Sequence, residues 1–502
     1  MSIITVKSIL TDRSYQYVDN GDPKSGTAKN VYFSPDRKYV VAIFKEKQDF
    51  NQKERLTRIV TRYLDQIQSK EAGDYYLNEI YRWPTDLIET RDRIGIIVPI
   101  YNSKFFFAKG YSSSDLIKGE EKNGKWFAGA KFRNKLFPLS LDQTELGRWL
   151  NYFQIGINLS RGVKKMHQMG LSHSDLSYNN VLIDPSSGSA CMIDLDGLVV
   201  PGLFQAEVIG TADFIAPEVL ATKHLNKTDP ARKLPNRLTD LHALACLIYM
   251  YLLHRHPLKG GKVHDLDTEK DDLLSMGEKA LFIEHPADLS NRPKMNQISK
   301  WDTYWADVNK IPYTITGPYL KTLFDKAFID GLHNPMQRPT AEEWEIALLK
   351  TTDLMQQCSN IFCDQKWYVF DNTTIPKCPF CGTSHQGTLP VLDLYYQFQS
   401  TVWRPENHRL MVYNNQYLFQ WHVNRNVIRN ERLTAEQKIP VGYFTFHEGK
   451  WVFVNQTLIS LIDKTEDKEI PVNSMVELTD GKKLLLSKED GGRVILVTLA
   501  NK

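Results

Sequence analysis

Residues 173–184 read HSDLSYNNVLID, and residues 192–198 read MIDLDGL. Both stretches set bare carboxylates beside apolar runs. Asp175 and Asn180 share the first, and Asp194 follows the apolar run CMI in the second. Asp and Asn are ordinary turn formers, so a plain loop is one reading. Chemistry on a metal-bound phosphate is the other. Phosphoryl transfer leaves a protein little covalent work: a carboxylate orients the attacking hydroxyl, oxygen ligands hold a metal, and a lysine holds phosphate. On such a loop Asp175 can face a hydroxyl while Asn180 reaches Mg²⁺. Asp194, at a strand end, suits the same hard cation. Lys45 closes the apolar run YVVAIFK, where alternation puts it on the face of Val41 and Ile43, an apolar surface able to receive an adenine ring.

Further stretches extend the pattern. GTADFIAPE spans 210–218, TDLHALA begins at Thr239, and QRPTAEE begins at Gln337. Taken in order with HSDLSYNN and IDLDGL, they resemble a eukaryotic-type protein kinase over roughly residues 10 to 352. The resemblance implies an α+β, two-lobed protein-kinase fold that uses ATP and Mg²⁺. It makes Asp175 the group facing the acceptor hydroxyl, Asn180 and Asp194 the Mg²⁺ ligands, and Lys45 the phosphate lysine. Thr211 matches the threonine of the Ser/Thr class that bonds the catalytic aspartate. Asp240 becomes a buried aspartate, and Arg338 should pair with Glu218. Kinase spacing counted back from Trp83-Pro84 offers Asp74 as the clamp for Lys45, with Glu79 in YLNEIYRWP as the alternative. Gly21 and Gly26 belong to the phosphate loop, which lacks a third glycine. Lys29 stands near that place and aids in holding phosphate. The hinge falls at Val98, Pro99, Ile100 and Tyr101. Pro99 has no N–H, so adenine must use other backbone groups.

The departures from the pattern carry information. Ser174 replaces the arginine that usually binds an activation-loop phosphate, and 197–210 contains no Ser, Thr or Tyr. Together they predict a kinase of the non-RD type, not switched by phosphorylation of that segment. Asp196 occupies the glycine position of the D-F-G stretch, either as a second metal ligand or as a turn residue. Ser177 stands where Ser/Thr kinases carry a lysine that supports the transferred phosphate.

Four cysteines cluster beyond the kinase-like stretch. Cys358 and Cys363 form one knuckle; Cys378 and Cys381, in CPFCG, form the other. Four thiolates favour tetrahedral Zn²⁺ in a closed, structural site. His385 is a bystander, and Cys191 and Cys246 sit in apolar runs as core residues. After the knuckles, GYFTFHEGKWVFV and LLLSKEDGGRVILV read as hairpins around Gly-containing turns. These segments resemble a forkhead-associated-like β-sandwich, a fold that reads phosphothreonine peptides. Asn424, Arg425 and Arg432 are the candidates for that role, against ordinary surface arginines. The expected layout is 1–102 N-lobe, 103–352 C-lobe, 353–390 zinc ribbon and 391–502 β-rich domain.

The whole order, with QCSNIFCDQKWYVFDNT and WPTDLIE, resembles the bacterial kinases of the tellurite-resistance-associated triad. That resemblance implies a PP2C-type phosphatase and a von Willebrand A domain protein as partners, beside a protein substrate. The 502 residues carry a net charge of +3, which gives no reason to expect nucleic acid. No apolar run reaches the roughly 18 residues of a membrane span. With no signal pattern at the N-terminus, the expectation is a cytoplasmic protein. The alternatives are a pseudokinase scaffold that binds phosphopeptides and a small-molecule kinase. GTADFIAPE and QRPT, which shape a protein-substrate cleft, count against the second.

Overall fold

The computed structural model describes all residues except 1, 27, 69–73, 91–92, 201, 207, 227, 372–374, 400–401 and 502, and the side chains of 25 and 74–76. The chain divides into two compact units. The first comprises Met1–Gly147, Gln154–Val308 and Phe324–Trp344; the second comprises Arg148–Phe153, Asn309–Leu323 and Glu345–Lys502.

The first unit begins with an antiparallel hairpin, β1 (Ser2–Lys7) and β2 (Ser14–Asp19). Buried Asp86 fastens its base by accepting from the hydroxyls of Ser8, Thr11 and Tyr15. A five-stranded antiparallel sheet follows, in the order β3-β4-β5-β7-β6. Its strands are β3 (Lys24–Ser25), β4 (Lys29–Phe33), β5 (Tyr39–Phe44), β6 (Asp86–Thr90) and β7 (Arg93–Pro99). After β5, Asp49 and Gln52 close a capping box that starts the helix Phe50–Arg58. The helix runs on through one π-helical turn to Ile67. Leu56, Ile59, Val60, Tyr63 and Ile67 recur every three or four residues along it and are buried. Trp83 Nε1 donates to the Ile59 carbonyl, so the Trp-Pro turn pins the helix to the sheet.

The helical part centres on Arg237–Leu253, which is buried nearly all round, as its uniformly apolar sequence implies. The same unit contains an antiparallel hairpin of β8 (Val181–Asp184) and β9 (Ser189–Met192). Cys191 and Cys246 are core residues. The polar stretch 103–145, whose shape the sequence leaves open, folds around aromatics. Phe107, Tyr111 and Phe132 pack on Trp126. It is tied to β8 by a buried ion triad: Lys122 Nζ lies 2.8 Å from both Glu145 and Asp184. At the end of this region Thr340 and Glu343 cap the helix Ala341–Thr352, as the sequence predicts.

Arg338 and Glu218 do pair, in a two-pronged contact of 2.8 and 2.7 Å. The guanidinium also donates to the carbonyls of Gly331 and Leu238. Because Arg338 is buried, Glu218→Ala leaves an uncompensated charge inside the unit. The expected loss is roughly 3 kcal/mol, read as a lower urea midpoint at unchanged slope. A midpoint like that of the wild type contradicts it.

The second unit holds a β-sandwich. One sheet has six strands, led by Leu389–Gln399, Val402–Met411 and Arg493–Ala500. The other has four: Gln416–Phe419, Pro440–His447, Lys450–Asn455 and Met475–Glu477. In HEGK, His447 pairs with Lys450, while Glu448 (φ 49°) and Gly449 (φ 78°) turn the chain in left-handed backbone. Leu392, Leu394, Phe444, Phe453 and Val497 join the two sheets in one core. A second, smaller core gathers Leu354, Cys363, Tyr368, Cys378, Val391, Met411 and Ala500. The cysteine knuckle therefore shares its interior with the sandwich strands. Buried Asp353 accepts from His408 at 2.7 Å and lies 3.4 Å from both His422 and Arg429; His422 and His408 hold its carboxyl well below the usual range against the effect of burial. Among the described residues no helix is long and apolar enough to cross a membrane.

Candidate active site

The residues of the 173–180 loop and Asp194 are set by backbone before any side chain acts. Ser174 sits at φ 69° and Asp194 at φ 59°, left-handed backbone that a non-glycine residue adopts at a cost of about 1 kcal/mol. Asp240 stabilises the first. Its carboxylate accepts the N–H of His173 (2.8 Å) and of Ser174 (3.0 Å), and His167 adds a third contact at 3.1 Å. The position that would carry a phosphate-binding arginine is thus a serine, held by a carboxylate from the buried helix.

Asp175 is held from both sides. Its Oδ1 accepts from the Thr211 N–H (2.6 Å) and hydroxyl (2.8 Å). Its Oδ2 and main-chain carbonyl accept from Asn180 Nδ2, at 2.9 and 2.8 Å. Asn180 spends its donors on Asp175, which leaves its amide oxygen for a cation. Ser177 is fully buried, with its Oγ 3.1 Å from the Thr211 hydroxyl. Tyr178 next to it donates to Asp213 (3.1 Å), which also meets Lys259 and, through its carbonyl, His256. Burial and the Asp213 charge push the Tyr178 hydroxyl up to about 12, so it stays a donor.

Asp194 and Asp196 both contact Lys29, and the strand before them is tied to the loop by the Ile193 N–H on the Asn180 carbonyl. Lys29 Nζ lies 2.8 Å from Asp194 Oδ1 and 2.6 and 2.7 Å from the two oxygens of Asp196. Burial works against the ammonium charge, yet the two carboxylates outweigh it and raise the Lys29 pKa. Burial pushes the Asp196 carboxyl up, with Asp194 adding to it. Lys29 holds Asp194 low despite burial. The carboxylate of Asp194 and the amide oxygen of Asn180 are hard donors of the kind Mg²⁺ takes.

A cavity of about 290 Å³ opens in the first unit. Val31, Val40, Val98, Ile100 and Phe106 give it apolar walls, and Gly26, Lys24 and Glu121 its polar rim. Its shape and lining fit a purine. The Ile100 N–H is already bonded to the Lys38 carbonyl, which leaves this residue its carbonyl and side chain. Gly21 takes φ 79° with open space around it, and the Gly26 N–H closes the β3–β4 turn on the Lys29 carbonyl.

Other expected groups lie elsewhere. Lys45 Nζ donates to the Gly26 carbonyl (2.6 Å), and among the described residues no carboxylate lies within ion-pair distance of it. Glu79 stands 3.8 Å from Lys104 instead. The side chain of Asp74 lies outside the described residues. In the second unit, Arg425 is 3.8 Å from Glu406 and stacks on Tyr396 at 4.0 Å. Asn424 is buried on the Asp490 carbonyl, and Arg432 is exposed. Any anion at Arg425 must compete with Glu406, a residue that no nearby motif announces.

The four cysteine sulfurs lie within 4.8 Å of one another. The closest pairs are Cys358–Cys381 at 3.4 Å and Cys363–Cys378 at 3.9 Å. Zn–S bonds of about 2.3 Å at tetrahedral angles need sulfurs about 3.8 Å apart. The set fits that ion. His385 contributes no ligand to it and stands 3.4 Å from Ser359.

Comparison with known proteins gives a consistent picture. Residues 150–345 match the family model of the protein kinase domain. The chain is 26% identical over 168 residues to the serine/threonine-protein kinase ppk21 of Schizosaccharomyces pombe, covering 28% of this chain and 29% of that one. It is 29% identical over 113 residues to the serine/threonine-protein kinase RAD53 of Saccharomyces cerevisiae, covering 21% and 14%. The match thus spans less than a third of either relative. Among solved structures, ROP2 from Toxoplasma gondii aligns at 16% identity and a TM-score of 0.40, over 70% of this chain and 85% of that one. It is described as a virulence factor with a protein-kinase fold and no enzymatic activity.

Proposed function

From the premise that residues 150–345 form a protein kinase domain, of mixed α/β fold and with serine/threonine-kinase homologues, we propose that the chain is an active ATP-dependent protein serine/threonine kinase. One observation carries the reading: Asp175 is held in place by Thr211 and Asn180, on a loop whose Asn180 carbonyl accepts from the N–H of Ile193, next to Asp194. Asp175 accepts the hydrogen bond of the acceptor hydroxyl and takes up its proton. The hydroxyl oxygen bonds to the γ-phosphorus as the β–γ bridging P–O bond breaks, and ADP leaves. Bound at Asn180 and Asp194, Mg²⁺ would neutralise charge on the phosphates. Val98, Ile100, Gly21 and Gly26 border the nucleotide.

The chain holds Zn²⁺ at Cys358, Cys363, Cys378 and Cys381. Its sandwich is forkhead-associated-like and takes phosphothreonine peptides at Asn424, Arg425 and Arg432. The layout is that of bacterial triad kinases of the cytoplasm, with a PP2C-type phosphatase and a von Willebrand A domain protein as partners.

A second reading is a scaffold without catalysis. Buried Ser177, where an assisting lysine would stand, favours it. Purified protein, labelled ATP, Mg²⁺ and the two candidate partners separate the readings. Label on a serine or threonine supports the kinase; tight ATP binding without transfer to any protein supports the scaffold. Active protein should carry no phosphate between 197 and 210, because the chain has no acceptor hydroxyl there and Asp240 already holds the loop. Mass spectrometry of the active fraction checks this. An essential phosphate in that segment contradicts it.

A further inference from the structure

We propose that Lys29, and not Lys45, is the lysine that grips the ATP phosphates, and that Asp196 is the residue that positions it. The proposal rests on the kinase reading of the same cleft. The first argument is strand geometry. Successive side chains of a strand point to opposite faces, so Phe44 and Lys45 cannot both face the cleft. The register pairs Phe44 with Lys29 on the neighbouring strand, which puts these two side chains on one face. Lys29 Nζ lies 5.5 Å from the centre of the Phe44 ring.

The second argument is where each ammonium ends. Lys29 reaches Asp194, the proposed metal ligand, at 2.8 Å. Among the described residues, the ammonium of Lys45 goes to the carbonyl of Gly26. A lysine that holds phosphate must stand beside the metal that bridges the same phosphates. Lys29 stands there. It also starts β4, directly after the loop that covers the nucleotide, so its reach is toward the phosphates and not the purine.

The third argument concerns Asp196. Its side chain is 9% exposed and meets Lys29 with both oxygens. Two carboxylates and one ammonium leave this corner with a net charge of −1. That favours entry of a divalent cation with the nucleotide. Once the cation sits on Asp194, Asp196 still holds Lys29 and directs its remaining donors at the triphosphate. Asp196 is therefore neither a bystander in a turn nor a metal ligand; it replaces the usual helix carboxylate as the clamp on the lysine.

The test compares affinity for ATP with affinity for adenosine, in Mg²⁺, on the full chain. Lys29→Met should weaken ATP binding at least tenfold and leave adenosine binding within twofold. Its loss of triphosphate preference should exceed that of Lys45→Met by tenfold or more. Asp196→Asn should show part of the Lys29→Met loss. The double variant Lys29→Met/Phe44→Lys, which moves the ammonium across the strand pair on the same face, should recover at least a third of the lost preference. A larger loss in Lys45→Met than in Lys29→Met overturns the proposal, as does an unchanged ATP preference in Lys29→Met. If Lys29→Met fails to fold by its melting curve, recovery by the double variant decides for or against. If the wild type binds ATP but transfers no phosphate, the kinase reading falls, while the binding series still decides the role of Lys29.

Discussion

Asp175→Asn should lower the rate of phosphate transfer by about 10²–10⁴-fold, with ATP affinity held within a few-fold. The substitution keeps the shape of the side chain. One oxygen remains for the Thr211 N–H and hydroxyl, which lie at 2.6 and 2.8 Å. The other becomes an NH₂ that faces Asn180 Nδ2, a donor, where the carboxylate accepted at 2.9 Å. What is lost is the ability to accept the hydroxyl proton. The nucleotide cavity, walled by Val31, Val40, Val98 and Phe106, is untouched. Single-turnover rates with saturating ATP measure the effect directly. An unchanged rate means that Asp175 does not face the acceptor. A loss confined to ATP affinity would place it in nucleotide binding instead.

The second large effect is on stability. The chain should carry one Zn²⁺, and Cys378→Ser should lose it together with about 5 kcal/mol or more of the second unit's stability. Structural zinc contributes apparent binding energies of about 10–16 kcal/mol, and that energy is also folding energy. Cys378 and Cys363 are both buried, in a core with Tyr368, Val391 and Met411. Without the ion, the knuckle must bury thiols with nothing to draw them together, and the loss reaches the sandwich strands. ATP binding in the first unit should persist. Metal analysis gives the stoichiometry, and calorimetry should show the second unit's transition moving while that of the first unit stays. A metal-free wild-type protein with an unaltered melting profile would falsify the structural role.

That Asp175 and Asn180 share one loop was legible because they are close in sequence; the hydrogen bonds between them were not read from the spacing. The Arg338–Glu218 pair was legible for another reason: each lies in a short motif that fixes its surroundings. The choice between Lys45 and Lys29 was not legible in this way. Alternation along YVVAIFK put Lys45 on the face of Val41 and Ile43, and a slip of one residue reverses every side chain. Only the register of β4 against β5 shows that position 44 and Lys29 share a side. The stretch 103–145 was opaque because its partners are remote: Lys122 finds Asp184 sixty-two residues on. Arg425 could be singled out as a basic loop residue, but Glu406 beneath it comes from a different strand.

The knuckle's shared core also sets a sequence in time. Ala500 packs in the same cluster as Cys378, on a strand that begins at Arg493, roughly a hundred residues downstream of the last cysteine. At synthesis rates of about 5–20 residues per second, that strand arrives roughly 5–20 s after the four thiols. In that interval residues 150–345 are already made, while the cysteines lack the wall that later encloses them. A metal taken up by the four thiols would thus have a window for capture, opened when the second knuckle emerges and narrowed as Arg493–Ala500 arrives.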